Sequence, residues 1–136
     1  MNARFVDTNL FIRYLTNDDP QKADKVEALL DQAAKGKIRL MTTEMVVAEV
    51  VWVLESYYGL KNTHIAPMIK AMLTTPGLEV LNARLLNEAT DHYLAQNVDF
   101  IDAYIAAVMR KHKITHIYSF NKKHLSRIKG VTRVEP

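Results

Sequence analysis

Cysteine is absent from this chain of 136 residues. Its absence excludes a disulfide framework, a thiolate zinc site and a cysteine nucleophile, so any bound metal must have oxygen or imidazole ligands. The sequence has no apolar run near the roughly 20 residues that a membrane-spanning helix requires. Residues 1–10 contain one aspartate and two asparagines where a signal peptide has its apolar segment. We therefore expect a cytoplasmic protein without a membrane-spanning segment.

Glycine and proline are scarce, with four of each, and the sequence has no repeat, low-complexity tract or linker. Hydrophobic residues make up 49% of the chain, which at this length is enough to form one core without disulfides or a structural metal. The sequence therefore predicts a single domain over residues 1–136.

The net charge of +3 is unevenly distributed. From Arg110 to the end there are eight lysines or arginines and one acid, so this segment carries +7, whereas the preceding residues carry −4. A basic segment favours contact with a phosphate backbone, although a solvated basic surface has the same appearance in sequence. Nucleic acid is therefore one candidate partner.

Short apolar runs alternate with longer segments of helical periodicity. Strands are predicted at residues 4–7, 38–41, 78–81 and 115–120, with a short edge strand at 131–134. Helices are expected to begin after the N-caps Asp19, Thr42-Thr43, Asn82 and Asp99. Strands joined through helices require crossover connections and hence parallel pairing. The expected fold is α/β, a three-layer α/β/α sandwich with a mostly parallel sheet of four to five strands.

Two polar residues follow predicted strands. Asp7 ends the first strand, and Asn121 follows the fourth. Sites in open parallel sheets form beyond the carboxyl ends of the strands, because the strand-to-helix turns expose backbone and side chains there. Asp7 is therefore a candidate site residue, and the alternative is that it is simply the N-cap of the next helix.

Glu49 is the only charged residue between Met45 and Leu54, in a helix that is apolar nearly all round. We expect such a helix to be buried, and a buried carboxylate without a partner is unfavourable whether it is ionised or protonated. A metal ion or a catalytic site would compensate it. The alternative is a buried ion pair with a lysine or arginine from another segment.

Two acids lie at the start of the last long helix. Asp99 is at the expected N-cap and Asp102 is in the first turn, where both would favour the helix start. Three of the five residues after Asp102 are alanines, so this helix can lie close against the sheet. Asp102 is then expected to be partly buried beside Asp7, whereas for Asp99 capping and a role in a site are equally well supported.

The carboxylates of Asp7, Glu49 and Asp102 are thus expected at one edge of the sheet. They would repel one another unless a cation lay between them, and hard oxygen ligands favour Mg²⁺ or Mn²⁺. The absence of cysteine and of HxH or HExxH spacing argues against zinc. The five histidines are scattered, and we expect them on the surface or around the ligands rather than among them.

These motifs resemble those of the PIN domains, and within that family the VapC-like toxin ribonucleases. The resemblance covers nearly the whole chain and is carried by four segments, residues 6–9, 43–54, 99–103 and 118–123. It implies a metal site that includes Asp7, Glu49 and Asp102, with Asp99 as a supporting acid.

The fourth metal position departs from the commonest family pattern, because Asn121 stands where aspartate is usual. An amide can bind a metal through its carbonyl oxygen or orient a water, but it adds no charge, so one or two ions are implied. Ser119 matches a small hydroxyl position, and Thr8 and Asn9 are implied to orient Asp7 or a substrate phosphate. The candidate contacts to an RNA backbone, each otherwise an ordinary exposed cation, are Lys122, Lys123, Arg127 and Lys129.

The resemblance implies endonucleolytic cleavage of single-stranded RNA, with Mg²⁺ or Mn²⁺ as the cofactor. The ions would activate a water for in-line attack on the phosphodiester and neutralise charge on the leaving oxygen. The family also implies a toxin that is inhibited by a small VapB-like antitoxin, and a homodimer.

Two other functions are compatible with the same residues. Asp7 after a first strand also suits an aspartyl-phosphate enzyme, but Asn9 stands where the second acid of a DxD pair would be. A catalytically weakened PIN domain that binds RNA or a partner is supported by Asn121 alone. Metal-dependent RNA cleavage by the purified protein distinguishes this alternative from a ribonuclease.

Overall fold

A computed structural model describes residues 2–136. In this range the elements are β1 (Ala3–Phe5), α1 (Thr8–Thr16), α2 (Pro20–Ala34), β2 (Arg39–Thr42), α3 (Glu44–Ser56), α4 (Asn62–Leu73), β3 (Leu78–Val80), α5 (Ala83–Ala95), α6 (Phe100–Lys111), β4 (His116–Tyr118) and β5 (Thr132–Val134), with a 3₁₀ helix at Leu125–Arg127. None of the helices in this range combines the length and the apolar character that a bilayer span requires.

Capping residues set where several helices begin. Asp19 and Thr43 each accept a hydrogen bond from the backbone N–H three residues later, at 3.2 and 3.4 Å, and so cap α2 and α3 as expected. Pro20 follows Asp19 and supplies a φ that suits the first helical position. Asn82 directly precedes α5, but it has a left-handed φ of 58° and its side-chain amide donates to the Glu44 carboxylate.

The first of two compact units covers the described residues up to 83 and contains a parallel sheet in the order β1-β2-β3. Phe5 pairs with Met41 and Thr42 pairs with Val80, so the carboxyl ends of the strands lie side by side. The buried Thr42 hydroxyl donates to the Val6 carbonyl at 2.9 Å. This contact holds the chain in place where it leaves β1. The fully buried core residues of the helices include Val47, Val50, Leu54, Ile65 and Ile69.

The second unit comprises residues 84–136, with α5, α6 and a parallel pair of strands, β4 and β5. The rings of Tyr93 and Phe100 meet edge to face with centroids 5.5 Å apart, which joins α5 to the start of α6. Leu125 is buried in the 3₁₀ helix, which contacts α6. The start of α6 is therefore packed on two sides within this unit.

The expectation of an α/β fold with parallel strands is confirmed. The five strands found in residues 2–136 all pair in parallel, at or near the predicted positions. They form two sheets of three and two strands, whereas the sequence led us to expect one sheet of four to five. Periodicity identifies a strand but not its partner, because pairing depends on residues that are distant in the chain.

Helix α3 has an exposed face that its composition did not reveal. Met45, Glu49 and Trp52 are exposed at spacings of four and three residues, whereas the valines on the opposite side are buried. The expectation that α3 is buried all round, and Glu49 with it, is therefore wrong. An exposed stripe is recognisable in sequence only when its residues are polar, and here two of the three are apolar.

The turn before β3 brings Gly77 against the end of α2. Gly77 has a φ of +79°, and a Cβ there would lie 2.3 Å from the Ala33 carbonyl oxygen. Gly36 has a similar φ of +76°, but nothing in the described chain lies within 4 Å of the equivalent Cβ position. Substitutions at these two glycines therefore distinguish the free-energy cost of a side chain in left-handed backbone from the cost of a steric clash with α2.

We predict that Gly36→Ala lowers the free energy of unfolding by about 1–2 kcal/mol, the cost of a side chain in left-handed backbone. Gly77→Ala should lower it by about 1–3 kcal/mol more, because the turn must also move away from α2. Urea titrations of both variants measure the difference. Equal losses of stability would show that the turn shifts away from α2 without cost.

Candidate active site

The residues expected to form the site fall into two groups, one in each compact unit, and each group is described by itself. The first group lies where β1 leads into α1 and on α3, and its members are Asp7, Thr8, Asn9 and Glu49. The second group lies at the start of α6 and after β4, and its members are Asp99, Asp102, Ser119, Asn121, Lys122, Lys123 and Arg127.

Asp7 is the N-cap residue of α1. Its Oδ1 atom accepts a hydrogen bond from the Thr8 N–H at 2.7 Å, so the capping alternative is correct. This contact uses only part of the acceptor capacity of a carboxylate, which has two oxygens and about four lone-pair sites. Asp7 is also exposed. Capping therefore leaves its carboxylate accessible to a ligand.

Glu49 is bound by a hydroxyl rather than by a cation. The buried Thr8 donates a hydrogen bond from its hydroxyl to Glu49 Oε1, which joins α1 to α3. The alternative of a buried ion pair is wrong for Glu49, because its carboxylate is exposed. Thr8 thus orients two acids, Asp7 through its N–H and Glu49 through its hydroxyl.

All four expected residues of the first unit line one cleft between α1 and α3. The cleft has a volume of about 350 Å³. Asp7, Asn9 and Glu49 supply carboxylate and amide oxygens to its lining. The remaining lining residues are Ile12, Arg13, Val53, Tyr57 and Tyr58.

Asp102 is the buried carboxylate of the second unit, with 9% of its surface exposed. Burial raises the pKa of Asp102 above its ordinary value, the charge of Asp99 raises it further, and His124 opposes them. Ligand atoms of these three residues lie within 4.8 Å of one another. Because two of the three are carboxylates that disfavour each other's charge, the group fits a hard divalent cation.

Asp99 occupies the N-cap position of α6, as expected. Its side chain makes no capping hydrogen bond in the part of the chain that the structure describes. The capping alternative is therefore not realised through the carboxylate, which is exposed at the start of the helix. The Asp99 side chain remains accessible to a ligand.

His124 is a residue of this group that the sequence did not single out. Its Nδ1 atom accepts a hydrogen bond from the Asp99 N–H at 3.0 Å and lies 3.7 Å from Asp102 Oδ2. The contact fastens the segment after β4 to the start of α6. No local pattern marks it, since the two residues are 25 positions apart.

Asn121 faces Asp102 with its amide nitrogen. Its Nδ2 atom lies 3.4 Å from Asp102 Oδ2, and its Oδ1 atom accepts a hydrogen bond from the Lys123 N–H at 2.9 Å. The Ser119 hydroxyl accepts from the Asn121 N–H at 3.0 Å and supports the same turn. In this arrangement the amide donates to the acid instead of presenting its carbonyl oxygen to a metal ion.

The three expected RNA-binding cations of this group differ in their contacts. Lys122 and Lys123 are exposed directly after the turn at Asn121. Arg127 is also exposed, but its Nη1 atom donates to the Asn97 carbonyl at 2.9 Å. Arg127 therefore connects the 3₁₀ helix to the loop before α6, and a phosphate contact would use its other N–H groups.

Similarity to known proteins extends over nearly the whole chain. The profile of the PIN domain family matches residues 4–131. No curated protein is significantly similar. Among solved structures, the chain is similar to Mycobacterium tuberculosis VapC20, described as a Sarcin-Ricin loop cleaving toxin, with 24% identity, 99% of this chain and 100% of that chain covered, and a TM-score of 0.40.

We predict that His124→Ala speeds hydrogen exchange at the Asp99 amide and lowers the free energy of unfolding by about 1 kcal/mol, because it removes the acceptor of that N–H. His124→Asn should largely restore both quantities, since its side-chain oxygen replaces Nδ1 as the acceptor. Exchange is followed by NMR and stability by urea titration. Unchanged exchange at Asp99 in the alanine variant would show that His124 does not hold the start of α6.

Proposed function

The chain belongs to the PIN domain family, and on that premise we propose that it is a metal-dependent endoribonuclease that cleaves single-stranded RNA. The environment of Asp102 supports this proposal most directly. The carboxylate is buried, and its neighbours in the described residues are the acid Asp99, an imidazole and an amide rather than a lysine or arginine. Burial and the charge of Asp99 both raise the pKa of Asp102, so a bound divalent cation would stabilise its ionised form.

Asp7, Glu49 and Asp102 are the acids that we propose to bind Mg²⁺ or Mn²⁺, with Asp99 in support. Hard cations prefer oxygen ligands, and all four side chains are carboxylates. When bound, the ion supplies an activated water and neutralises charge on the leaving oxygen of the phosphodiester. Thr8 keeps two of the acids in fixed orientations, through its hydroxyl and its N–H.

Asn121 belongs to the proposed site as the residue that orients Asp102. Its carbonyl oxygen accepts the Lys123 N–H, so its amide nitrogen is the group that meets the acid. A metal contact by Asn121 would require this turn to open. We propose contacts to the RNA for Thr8, Asn9, Ser119, Lys122, Lys123 and Arg127.

The proposal extends to the biological role that the family resemblance implies. The protein would act as the toxin of a toxin–antitoxin pair in the cytoplasm, and a VapB-like antitoxin would inhibit it. It would form a homodimer of a single PIN domain over residues 1–136. The family profile supports the domain assignment, because it spans parts of both compact units.

A catalytically weakened PIN domain that binds RNA or a partner is the second candidate function. The orientation of Asn121 favours it, because an amide that donates to Asp102 adds no charged ligand for a second ion. The two candidates share the same fold and cations. They differ in whether purified protein cleaves RNA when a divalent ion is added.

We predict that Asp7→Asn, Glu49→Gln and Asp102→Asn each abolish Mg²⁺- or Mn²⁺-dependent cleavage of a single-stranded RNA. Each substitution removes one charged oxygen ligand and nearly preserves the shape of the side chain. Cleavage is measured on gels and divalent-ion binding by calorimetry. Asp102→Asn also removes a buried charge. When both proteins are measured without metal, this variant should therefore be at least as stable to urea as the wild type.

Glu44→Gln is the matched control for Glu49→Gln. Glu44 lies on the same helix, but its carboxylate accepts from Asn82 and it does not line the cleft. The control should cleave normally. Normal cleavage by Glu49→Gln would remove Glu49 from the site, and a wild-type protein that cleaves with neither ion would favour the second candidate function.

We predict that replacing Lys122 and Lys123 together with glutamine weakens RNA binding and flattens its salt dependence. The log–log slope should fall by about 0.7 for each phosphate of the single strand that the variant no longer binds. The control pair is Lys37→Gln with Lys61→Gln, which removes the same charge from exposed positions in the first unit. Identical slopes for the two double variants would assign Lys122 and Lys123 to ordinary solvation.

A further inference from the structure

The cleft between α1 and α3 continues beyond the acids. Glu49, Val53 and Tyr57 are spaced four residues apart on α3 and at its end, and all three line the cleft. Eight residues of helix span about 12 Å, so Tyr57 lies well away from the carboxylate end. Asn9 and Arg13 have the same spacing on α1. The cleft therefore has an acidic end and an end that carries an arginine and two tyrosines.

The arginine and one tyrosine at that end are held by a single acid. Asp18 Oδ2 accepts a hydrogen bond from Arg13 Nη1 at 2.7 Å and another from the Tyr58 hydroxyl. The bond from Tyr58, together with that from Arg13, keeps the pKa of Asp18 below its ordinary value, so this acid is ionised at neutral pH. Arg13 has five N–H groups, and the bond to Asp18 leaves others to face the cleft.

Tyr57 presents a free aromatic face beside this framework. It is 79% exposed, and its ring meets that of Tyr58 edge to face with centroids 4.9 Å apart. Because Asp18 holds Tyr58, this contact restricts the orientation of Tyr57. Isolated exposed aromatic residues are common on protein surfaces, but this one borders a cleft that also contains two acids and an arginine.

We propose that this end of the cleft binds an unpaired nucleotide of the RNA next to the cleavage site, with its base stacked on Tyr57 and its phosphate held by Arg13. Aromatic side chains stack on any base that is not paired, and arginine binds phosphate through its fork of N–H groups. A paired base has no free face to offer. The subsite therefore selects single strands by stacking, without reading a sequence.

The size and position of the cleft agree with this occupant. A volume of about 350 Å³ lies at the lower end of the range for small-ligand sites, roughly 300–1,000 Å³. It suits a base with its phosphate better than a folded partner. The proposal rests on the proposed ribonuclease function, because it places the nucleotide beside Asp7 and Glu49.

The test measures binding of a short, fluorescently labelled 2′-O-methyl single strand by anisotropy, with a chelator present so that no cleavage occurs. Tyr57→Leu should raise the dissociation constant by about 5- to 150-fold, the range for removing one base–aromatic stack. Tyr57→Phe keeps the ring and should bind like the wild type. Trp52→Leu is the matched control, since Trp52 is a 65% exposed aromatic residue on α3, five residues before Tyr57, and does not line the cleft.

A second arm tests the phosphate contact. Arg13→Gln should reduce the log–log salt slope of binding by about 0.7, the value for one single-strand phosphate. A duplex of the same length and chemistry should bind Tyr57→Leu as tightly as the wild type, because its bases are already stacked.

The outcomes separate this subsite from the proposed activity. Equal binding of the single strand by Tyr57→Leu and the wild type overturns the subsite, whether or not the protein cleaves RNA. Equal weakening in Tyr57→Leu and Trp52→Leu also overturns it, and a change of mass in sedimentation would then assign this face to chain association. A wild type that binds but does not cleave, with binding weakened in Tyr57→Leu and not in Trp52→Leu, retains the subsite and rejects the nuclease.

Discussion

The first unit depends on the spacing that Thr8 imposes between α1 and α3. Its hydroxyl binds Glu49 while its N–H binds Asp7, so one buried residue sets the positions of both acids. Only Asp7 separates Thr8 from Val6, whose carbonyl is held by the buried hydroxyl of Thr42. The acidic end of the cleft and its tyrosine end both follow from this spacing, because α1 and α3 form its two walls.

In each unit a neutral side chain donates a hydrogen bond to one of the proposed acids. Thr8 donates to Glu49, and Asn121 donates to Asp102. A lysine or arginine in either place would neutralise the acid and compete with a metal ion for it. A neutral donor orients the carboxylate without neutralising it, so the negative charge remains to attract a ligand. For the buried Asp102, this uncompensated charge lowers the stability of the fold. His124 accepts the backbone N–H of Asp99, and its Nδ1 atom also lies 3.9 Å from Asp99 Oδ2 and 3.7 Å from Asp102 Oδ2.

The sequence indicated Glu49 as a site residue because it was expected to be buried, and the structure contradicts that expectation. A run of valines around one acid predicted a buried carboxylate, but Glu49 lies on an exposed stripe between Met45 and Trp52. The place of Glu49 in the proposed site now rests on the cleft that it shares with Asp7 and on the family motif. The burial of Asp102, in contrast, was expected from the alanines that follow it, because small residues permit close packing whatever the partner.

Local features of the chain were determined by the sequence alone. The alternation of strands and helices, the N-caps at Asp7, Asp19 and Thr43, and the motifs of the PIN domain family all depend on residues within a few positions of one another. Tertiary structure alone decided how the strands divide between two sheets and which side of α3 is exposed. It also decided that His124 meets Asp99 and that Tyr58 meets Asp18. These contacts join residues 25 and 40 positions apart, and helical or strand periodicity carries no information about partners at such distances.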